Sequence, residues 1–129
     1  MTVDASALVA ILFAEAGYLD LVDAILEAEV ARVGAPTLVE TEMVLAGRRG
    51  RASGTEVASL VRELGLTIVP FGEAEWHRAL DASNRFGRGR HPAGLNFGDC
   101  LAYATAAVAG DSLLFVGQDF RKTDIRPAL

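Results

Sequence analysis

The stretch MTVDASALVAILFAE, residues 1–15, carries the pattern that decides the fold. Residues 1–5 are typical of a short strand, and residues 7–15 form an apolar segment that Ser6 could cap as a helix. A strand that passes directly into a helix is the unit from which parallel sheets are built. This stretch therefore predicts one strand of an α/β sheet and the first helix that covers it.

The rest of the chain continues the alternation of short strands and longer helices. The further strands are expected at residues 30–34, 66–71, 112–116 and 124–126. The further helices are expected at residues 18–29, 37–47, 73–85 and 96–109, and another should begin at a capping box from Ser53 to Glu56 and end near Gly65. The pattern predicts a parallel sheet covered by helices.

Length and composition limit the function classes. The 129 residues match one domain, residues 1–129, and 51% of them are hydrophobic. The net charge of −5 argues against a broadly cationic nucleic-acid coat. Residues 1–42 carry a charge of −7 and residues 43–129 a charge of +2, so an acidic site beside basic edges remains compatible with a nuclease.

The sequence also predicts a cytoplasmic protein without a membrane segment. Its single cysteine, Cys100, cannot form an internal disulfide. The apolar run at residues 7–14 is far shorter than the roughly 20 residues that span a bilayer. No basic leader of the signal-peptide kind precedes it.

Four acidic residues are expected at one edge of the sheet. Asp4 and Asp119 follow predicted strands, and Glu40 and Asp99 lie in the first turns of predicted helices. Ligand sites of parallel sheets form beyond the carboxyl ends of the strands, where these side chains would meet. Clustered carboxylates bind hard cations such as Mg²⁺ or Mn²⁺, which suits phosphodiester hydrolysis.

Four segments in this order resemble a known family. They read VDASALVAIL at residues 3–12, PTLVETEMVL at 36–45, HPAGLNFGDCLAYA at 91–104 and LLFVGQDFRKTDI at 113–125. Together they resemble the PIN-domain ribonucleases of the VapC toxin type, from bacterial toxin–antitoxin pairs. The resemblance implies a three-layer α/β/α sandwich with a central parallel sheet, and the activity of a metal-dependent endoribonuclease.

The resemblance also implies roles for single residues and for partners. Asp4, Glu40 and Asp99 would be the acidic ligands around Mg²⁺ or Mn²⁺, with Ser6 in a supporting position. The implied partners are RNA as substrate, a VapB-type antitoxin whose tail covers the acidic groove, and a second copy of the chain in a homodimer.

One departure from the family leaves alternatives open. Many PIN proteins carry two acids where this chain reads Gly117-Gln118-Asp119, so we expect Asp119 to complete the site as a catalytic and metal-binding acid, with Asp124 as the reserve candidate. The missing acid also permits a catalytically idle PIN scaffold that acts as a binding or regulatory module.

Other candidate residues have both a functional and a structural interpretation. Asn96 and Asp99 fit a capping box, and we expect Asn96 to cap the helix while Asp99 serves as a ligand. Two basic clusters are predicted to contact the RNA backbone, although they could equally be solvated charge runs. The basic candidates are Arg48, Arg49, Arg51, Arg88 and Arg90.

Overall fold

The computed structural model describes residues 1–52 and 54–129, where strands and helices alternate much as predicted. The strands are β1 (Thr2–Val3), β2 (Arg32–Gly34), β3 (Thr67–Val69) and β4 (Leu113–Leu114). The α-helices are α1 (Ala5–Leu12), α2 (Tyr18–Glu27), α3 (Ala35–Arg49), α4 (Glu56–Glu63), α5 (Glu73–Phe86) and α6 (Phe97–Ala109). Among these described helices, none is long and apolar enough to cross a membrane.

The strands form one parallel sheet in the order β3-β2-β1-β4. In the register of the central strands, Thr2 lies beside Arg32 on one side and beside Leu113 on the other. The parallel arrangement confirms the sequence prediction. It also brings the carboxyl ends of all four strands, and the helices that begin there, to the same edge of the sheet.

Helices cover both faces of this sheet. The adjacent residues Leu113 and Leu114 are fully buried but belong to two different apolar clusters. Leu114 packs with Val33 and with helices α1, α2 and α4, whereas Leu113 packs with α5 and α6. Successive side chains of a strand point to opposite faces, so the two clusters lie on opposite sides of the sheet. The predicted three-layer α/β/α sandwich is confirmed.

The start of α1 differs from the prediction. The helix begins at Ala5, and its N-cap is Asp4 in an extended conformation, not Ser6. The carboxylate of Asp4 accepts a hydrogen bond from the Ser6 amide, 3.0 Å away. Aspartate and serine are both good N-cap residues, so local preference could not distinguish them. Placing the cap at the end of β1 keeps the strand-to-helix turn as short as possible.

Other element boundaries also differ from the predicted ones. Helix α3 continues through Gly47 to Arg49, and its C-cap, Gly50, adopts the left-handed conformation with φ of 66°. The prediction of a strand at residues 124–126 is wrong. The chain there forms an isolated β-bridge between Leu113 and Pro127 instead of a strand. A 3₁₀ helix, Phe120–Lys122, precedes it. Of the predicted capping box, Ser53 lies outside the described residues, and the N-cap of α4 is Thr55.

The two-faced core makes a stability prediction. We expect Leu113→Ala and Leu114→Ala each to lower the free energy of unfolding by about 2–5 kcal/mol, because each leaves a cavity in a different apolar cluster. Ile68→Ala on β3 is the control, since Ile68 is 54% exposed and its loss should cost less than about 1 kcal/mol. Urea denaturation measures all three. A large effect for only one of the two leucines would contradict the three-layer packing.

Candidate functional site

Asp4 is the buried centre of the acidic edge. It is only 4% exposed, and its amide donates to the Leu114 carbonyl, 2.9 Å away. The Ser6 hydroxyl donates to Oδ2 of Asp4 at 2.5 Å and accepts a hydrogen bond from the Val116 amide at 3.0 Å. Burial raises the pKa of Asp4, although the hydrogen bonds from Ser6 oppose this rise. Ser6 therefore fixes the carboxylate and ties α1 to the segment after β4.

Glu40 approaches this centre from α3, in close contact with the first turn of α6. A Cβ atom at Gly98 would lie 2.3 Å from both carboxylate oxygens of Glu40, so only glycine leaves room for this contact. Burial raises the pKa of Glu40 to about 7, and the negative charges of Asp4 and Asp99 add to the rise. The three carboxylates therefore interact electrostatically, although Asp4 precedes α1 whereas Glu40 and Asp99 lie in α3 and α6.

Asp99 forms the predicted capping box with Asn96. Its amide donates to Oδ1 of Asn96 at 2.8 Å, and its own Oδ2 accepts from the Asn96 amide at 2.9 Å. Burial raises the pKa of Asp99 to about 6; the Asn96 hydrogen bond opposes the rise, and the charges of Asp4 and Asp119 add to it. One carboxylate thus caps α6 and faces the acidic group at once, because capping uses only one of its two oxygens.

The two candidates for the fourth acid have different surroundings. Asp119 is exposed in the loop after β4, and its charge raises the pKa of Asp99. Asp124 instead accepts hydrogen bonds from Tyr103 Oη and Arg85 Nη2, both at 2.7 Å. Burial acts to raise the pKa of Asp124, but these two hydrogen bonds outweigh it and lower the pKa. Asp119 is therefore near enough to Asp99 to affect its pKa, whereas the carboxylate of Asp124 is engaged by Tyr103 and Arg85.

The acidic group of Asp4, Glu40, Asp99 and Asp119 does not form a complete metal coordination shell. In the part of the chain that the structure describes, no three Asp, Glu, His or Cys side chains converge as ready-made ligands of one ion. Mutual repulsion and desolvation oppose closer approach of ionised carboxylates. The donor set consists of carboxylate oxygens, the type that Mg²⁺ and Mn²⁺ prefer, and Mg²⁺ completes its shell with water. The residues present therefore fit such an ion.

The first basic cluster is engaged in ion pairs within the molecule. Arg48 pairs with Glu15 at 2.7 Å, and Arg49 pairs with Glu56. Arg51 lies 3.7 Å from the same Glu56 carboxylate. These contacts connect the end of α3 to neighbouring segments, which is a structural role that the charge pattern alone did not predict.

The second basic cluster lies nearer to the acids. The positive charge of Arg88 lowers the pKa of Asp99 and so offsets part of its rise. Arg88 also lines a small groove with Asn96, and both Arg88 and Arg90 are exposed. His91, from the same loop, packs edge-on against Phe86 instead and accepts the Ala93 amide at its Nδ1.

An apolar cleft beside Glu40 was missed by the sequence analysis. It has a volume of about 1060 Å³ and lies between α3 and the start of α6. The side chains that line it include Pro36, Val39, Met43, Phe71 and Phe97. The available signal was the spacing of Val39 and Met43, which places two apolar residues on one exposed stripe of α3.

This arrangement defines an α/β protein whose candidate site is a set of carboxylates at the carboxyl ends of parallel strands. The model of the PIN domain family matches residues 1–126, and the chain belongs to that family. Ribonuclease VapC of Mycolicibacterium smegmatis is 38% identical over 97% of both chains. Ribonuclease VapC36 of Mycobacterium tuberculosis is 41% identical over 97% of this chain and 91% of its own. Within the PIN domain proteins, the chain therefore groups with the VapC ribonucleases.

Solved structures agree with this fold. The toxin VapC20 of Mycobacterium tuberculosis, described as cleaving the sarcin-ricin loop, superposes with a TM-score of 0.73 at 18% identity and covers 98% of both chains. A chain from a toxin-antitoxin complex of Klebsiella pneumoniae gives a TM-score of 0.69 at 15% identity, covering 95% of this chain and 92% of its own. At these identities the likeness establishes the common fold.

The raised pKa values make a prediction about stability. Folding raises the pKa of Glu40 from 4.5 to about 7 and that of Asp99 from 3.8 to about 6, so the folded state binds more protons than the unfolded state. In the presence of a chelator, the contribution of these groups to stability should therefore fall as the pH rises from about 4.5 through 7. We expect the unfolding temperature of Glu40→Gln to fall less steeply than that of the wild type, as measured by thermal scans from pH 5 to pH 8.

Glu63→Gln provides the matched control, because Glu63 is exposed on α4. Its unfolding temperature should follow the wild-type pH curve. Parallel curves for Glu40→Gln and the wild type would show that Glu40 is not in the repulsive environment described above.

Proposed function

We propose that this protein is a divalent-metal-dependent endoribonuclease, the toxin of a VapBC-type toxin–antitoxin module. The observation that carries the proposal is the electrostatic coupling of Asp4, Glu40, Asp99 and Asp119 at one edge of the sheet. The names of the relatives support RNA as the substrate class. In this proposal residues 1–129 act as a single domain in the cytoplasm.

The four carboxylates are the proposed ligands of Mg²⁺ or Mn²⁺. Such an ion, when bound, stabilises negative charge on the phosphate and makes water a better nucleophile. Asp4 is held in place by Ser6, and Asp99 is held by Asn96, so neither side chain has to be ordered when an ion arrives. Asp119 is exposed, which leaves it accessible from the side where a substrate would enter.

The reaction proposed here is hydrolysis of an internal phosphodiester bond. Water adds to phosphorus, one P–O ester bond breaks, and the leaving oxygen takes up a proton. The N-terminal ends of α1 and α6 both point to the acidic group, and their partial positive charge favours a bound phosphate anion. One of the carboxylates orients the attacking water, and Ser6 keeps Asp4 from rotating away.

The basic residues divide into two proposed roles. Arg88 and Arg90 are exposed near the acidic group and are proposed to contact the RNA backbone. Arg48, Arg49 and Arg51 remain weaker candidates, since their ion pairs with Glu15 and Glu56 would compete with phosphate. Exposed ion pairs are of modest strength, so we expect these three arginines to contribute little to RNA binding.

A VapB-type antitoxin and a second copy of the chain are the proposed protein partners. A basic tail on the antitoxin would complement the negative charge concentrated in residues 1–42. The chain from a toxin-antitoxin complex that shares this fold is in keeping with such a partner. The surface used in a homodimer is not part of the proposal.

Substitution of the acids tests the mechanism. Asp4→Asn, Asp99→Asn and Asp119→Asn should each reduce the rate of RNA cleavage with Mg²⁺ at least a hundredfold, because each removes a negatively charged ligand. Chelation by EDTA should abolish cleavage by the wild type. Total cellular RNA, separated on a denaturing gel after incubation, provides the assay.

Asp124→Asn is the matched control for Asp119→Asn. It should keep most of the activity while lowering thermal stability, because it weakens the contacts with Tyr103 and Arg85. Cleavage that survives EDTA or the loss of Asp99 would refute the mechanism. If Asp124→Asn loses activity and Asp119→Asn keeps it, Asp124 and not Asp119 is the fourth acid of the site.

Gly98 gives a second prediction, in which no ligand is changed. The methyl group of Gly98→Ala would overlap the Glu40 carboxylate, which sits at the flexible end of its side chain and can move aside. The variant should therefore fold but cleave RNA at least tenfold more slowly.

The control is Gly47→Ala in α3, where a new methyl group meets no atom within 4 Å. It should leave cleavage unchanged and increase stability by up to about 1 kcal/mol. Equal activity of both variants would mean that the position of Glu40 is unimportant.

A further inference from the structure

Phe97 is the first residue of α6 and lies at the rim of the acidic group. Its side chain is 82% exposed, the largest value among the large hydrophobic residues that the structure describes. An aromatic ring in that position contributes little to the core. It is adjacent to Gly98, which contacts Glu40, and two residues before Asp99. The ring is thus attached to the same helical turn that presents the acids.

Two recesses meet at this ring. On one side lies the apolar cleft, whose walls include Pro36, Val39 and Phe71. On the other side lies the small groove that contains Arg88 and Asn96. At this ring the surface therefore changes from a mostly apolar cleft, which Glu40 also lines, to a groove that contains the Arg88 cation. A ligand that occupies both recesses would place an apolar part in the cleft and an anionic part next to Arg88.

We propose that Phe97 is a stacking platform for an unpaired nucleobase next to the scissile phosphate, with the apolar cleft accommodating that base. The inference rests on the proposed nuclease function and adds a substrate-binding residue to it. In a single-stranded nucleotide, a planar base is joined to a charged phosphate, which matches the two recesses. Sequence-specific and structure-specific recognition of RNA commonly uses splayed bases stacked on aromatic side chains.

Arg88 is the cation beside the ring that a nucleotide phosphate would contact while its base lies against Phe97. Arg88 lies close enough to Asp99 to lower its pKa, so a phosphate that reaches the acidic group also meets this cation. The cleft walls contain Pro36 and Pro70, whose rings restrict the backbone at these two positions. A mostly apolar cleft next to a cation suits a base that is joined to a phosphate. Because every base has a π-face, the contact should add affinity without strongly selecting sequence.

Binding to matched RNA probes tests the role of the ring. The first probe is a fluorescein-labelled 12-nucleotide oligouridine, and the second is the same chain with abasic riboses in place of its central nucleotides. Fluorescence anisotropy in Ca²⁺ at fixed ionic strength gives the dissociation constants of the full-length protein. We expect Phe97→Leu to weaken binding of oligouridine about fivefold or more, the loss expected for one stacked base. Binding of the abasic probe should not change.

Trp76→Leu is the control for loss of an exposed aromatic ring. Trp76 is 58% exposed on α5 and lines neither recess, so both probes should bind as they do to the wild type. An equal effect of Phe97→Leu on both probes, or no effect on either, would overturn the proposal. So would an absence of binding to both probes by the wild type.

Light scattering on the same samples separates a protein-binding role. If Phe97→Leu changes the oligomeric mass while RNA binding stays the same, the ring serves a contact between proteins and the proposal is wrong. Failure of the nuclease function has another signature. In that case the wild type would prefer oligouridine over the abasic probe through Phe97, yet cleave no RNA in Mg²⁺.

Discussion

Asp4 carries a carboxylate that is almost completely removed from water, held by the amide and the hydroxyl of Ser6. A buried charge is costly unless hydrogen bonds or a cation compensate it. The local structure provides the hydrogen bonds, since Asp4 ends β1, caps α1 and is linked through Ser6 to the Val116 amide. The alignment of β1, α1 and the loop after β4 therefore depends on this one side chain, and the other acids are arranged around it.

Asp99 and Glu40 reach Asp4 by different structural means. Asp99 is fixed by a capping box within its own helix, a contact between residues three apart. Glu40 depends on the close approach of α3 to α6, which is possible because position 98 has no side chain. The proposed ion site thus combines one local constraint and one packing constraint. Burial raises the pKa of Glu40, and the negative charges of Asp4 and Asp99 raise it further; a bound cation would relieve this repulsion.

Much of the fold could be predicted because it follows from periodicity. The strand-helix alternation, the parallel sheet and the position of the acids at strand ends all depend on local patterns, and the resemblance in four segments supplied the layer arrangement. Boundaries were less accurate where two local solutions have similar energies. Asp4 and Ser6 are both good caps, and Gly47 and Gly50 are both possible helix ends, so tertiary packing had to choose between them.

The sequence by itself determined the chemical character of the site. It contains Asp4, Glu40 and Asp99, and their carboxylate oxygens favour hard cations. Only the tertiary structure decided which charges remain near that site. It pairs Arg85 with Asp124 and Arg48 with Glu15, and it leaves Phe97 exposed beside the acids. The physical reason is that ion pairs and surface exposure depend on distances between segments far apart in the chain, which no local pattern encodes.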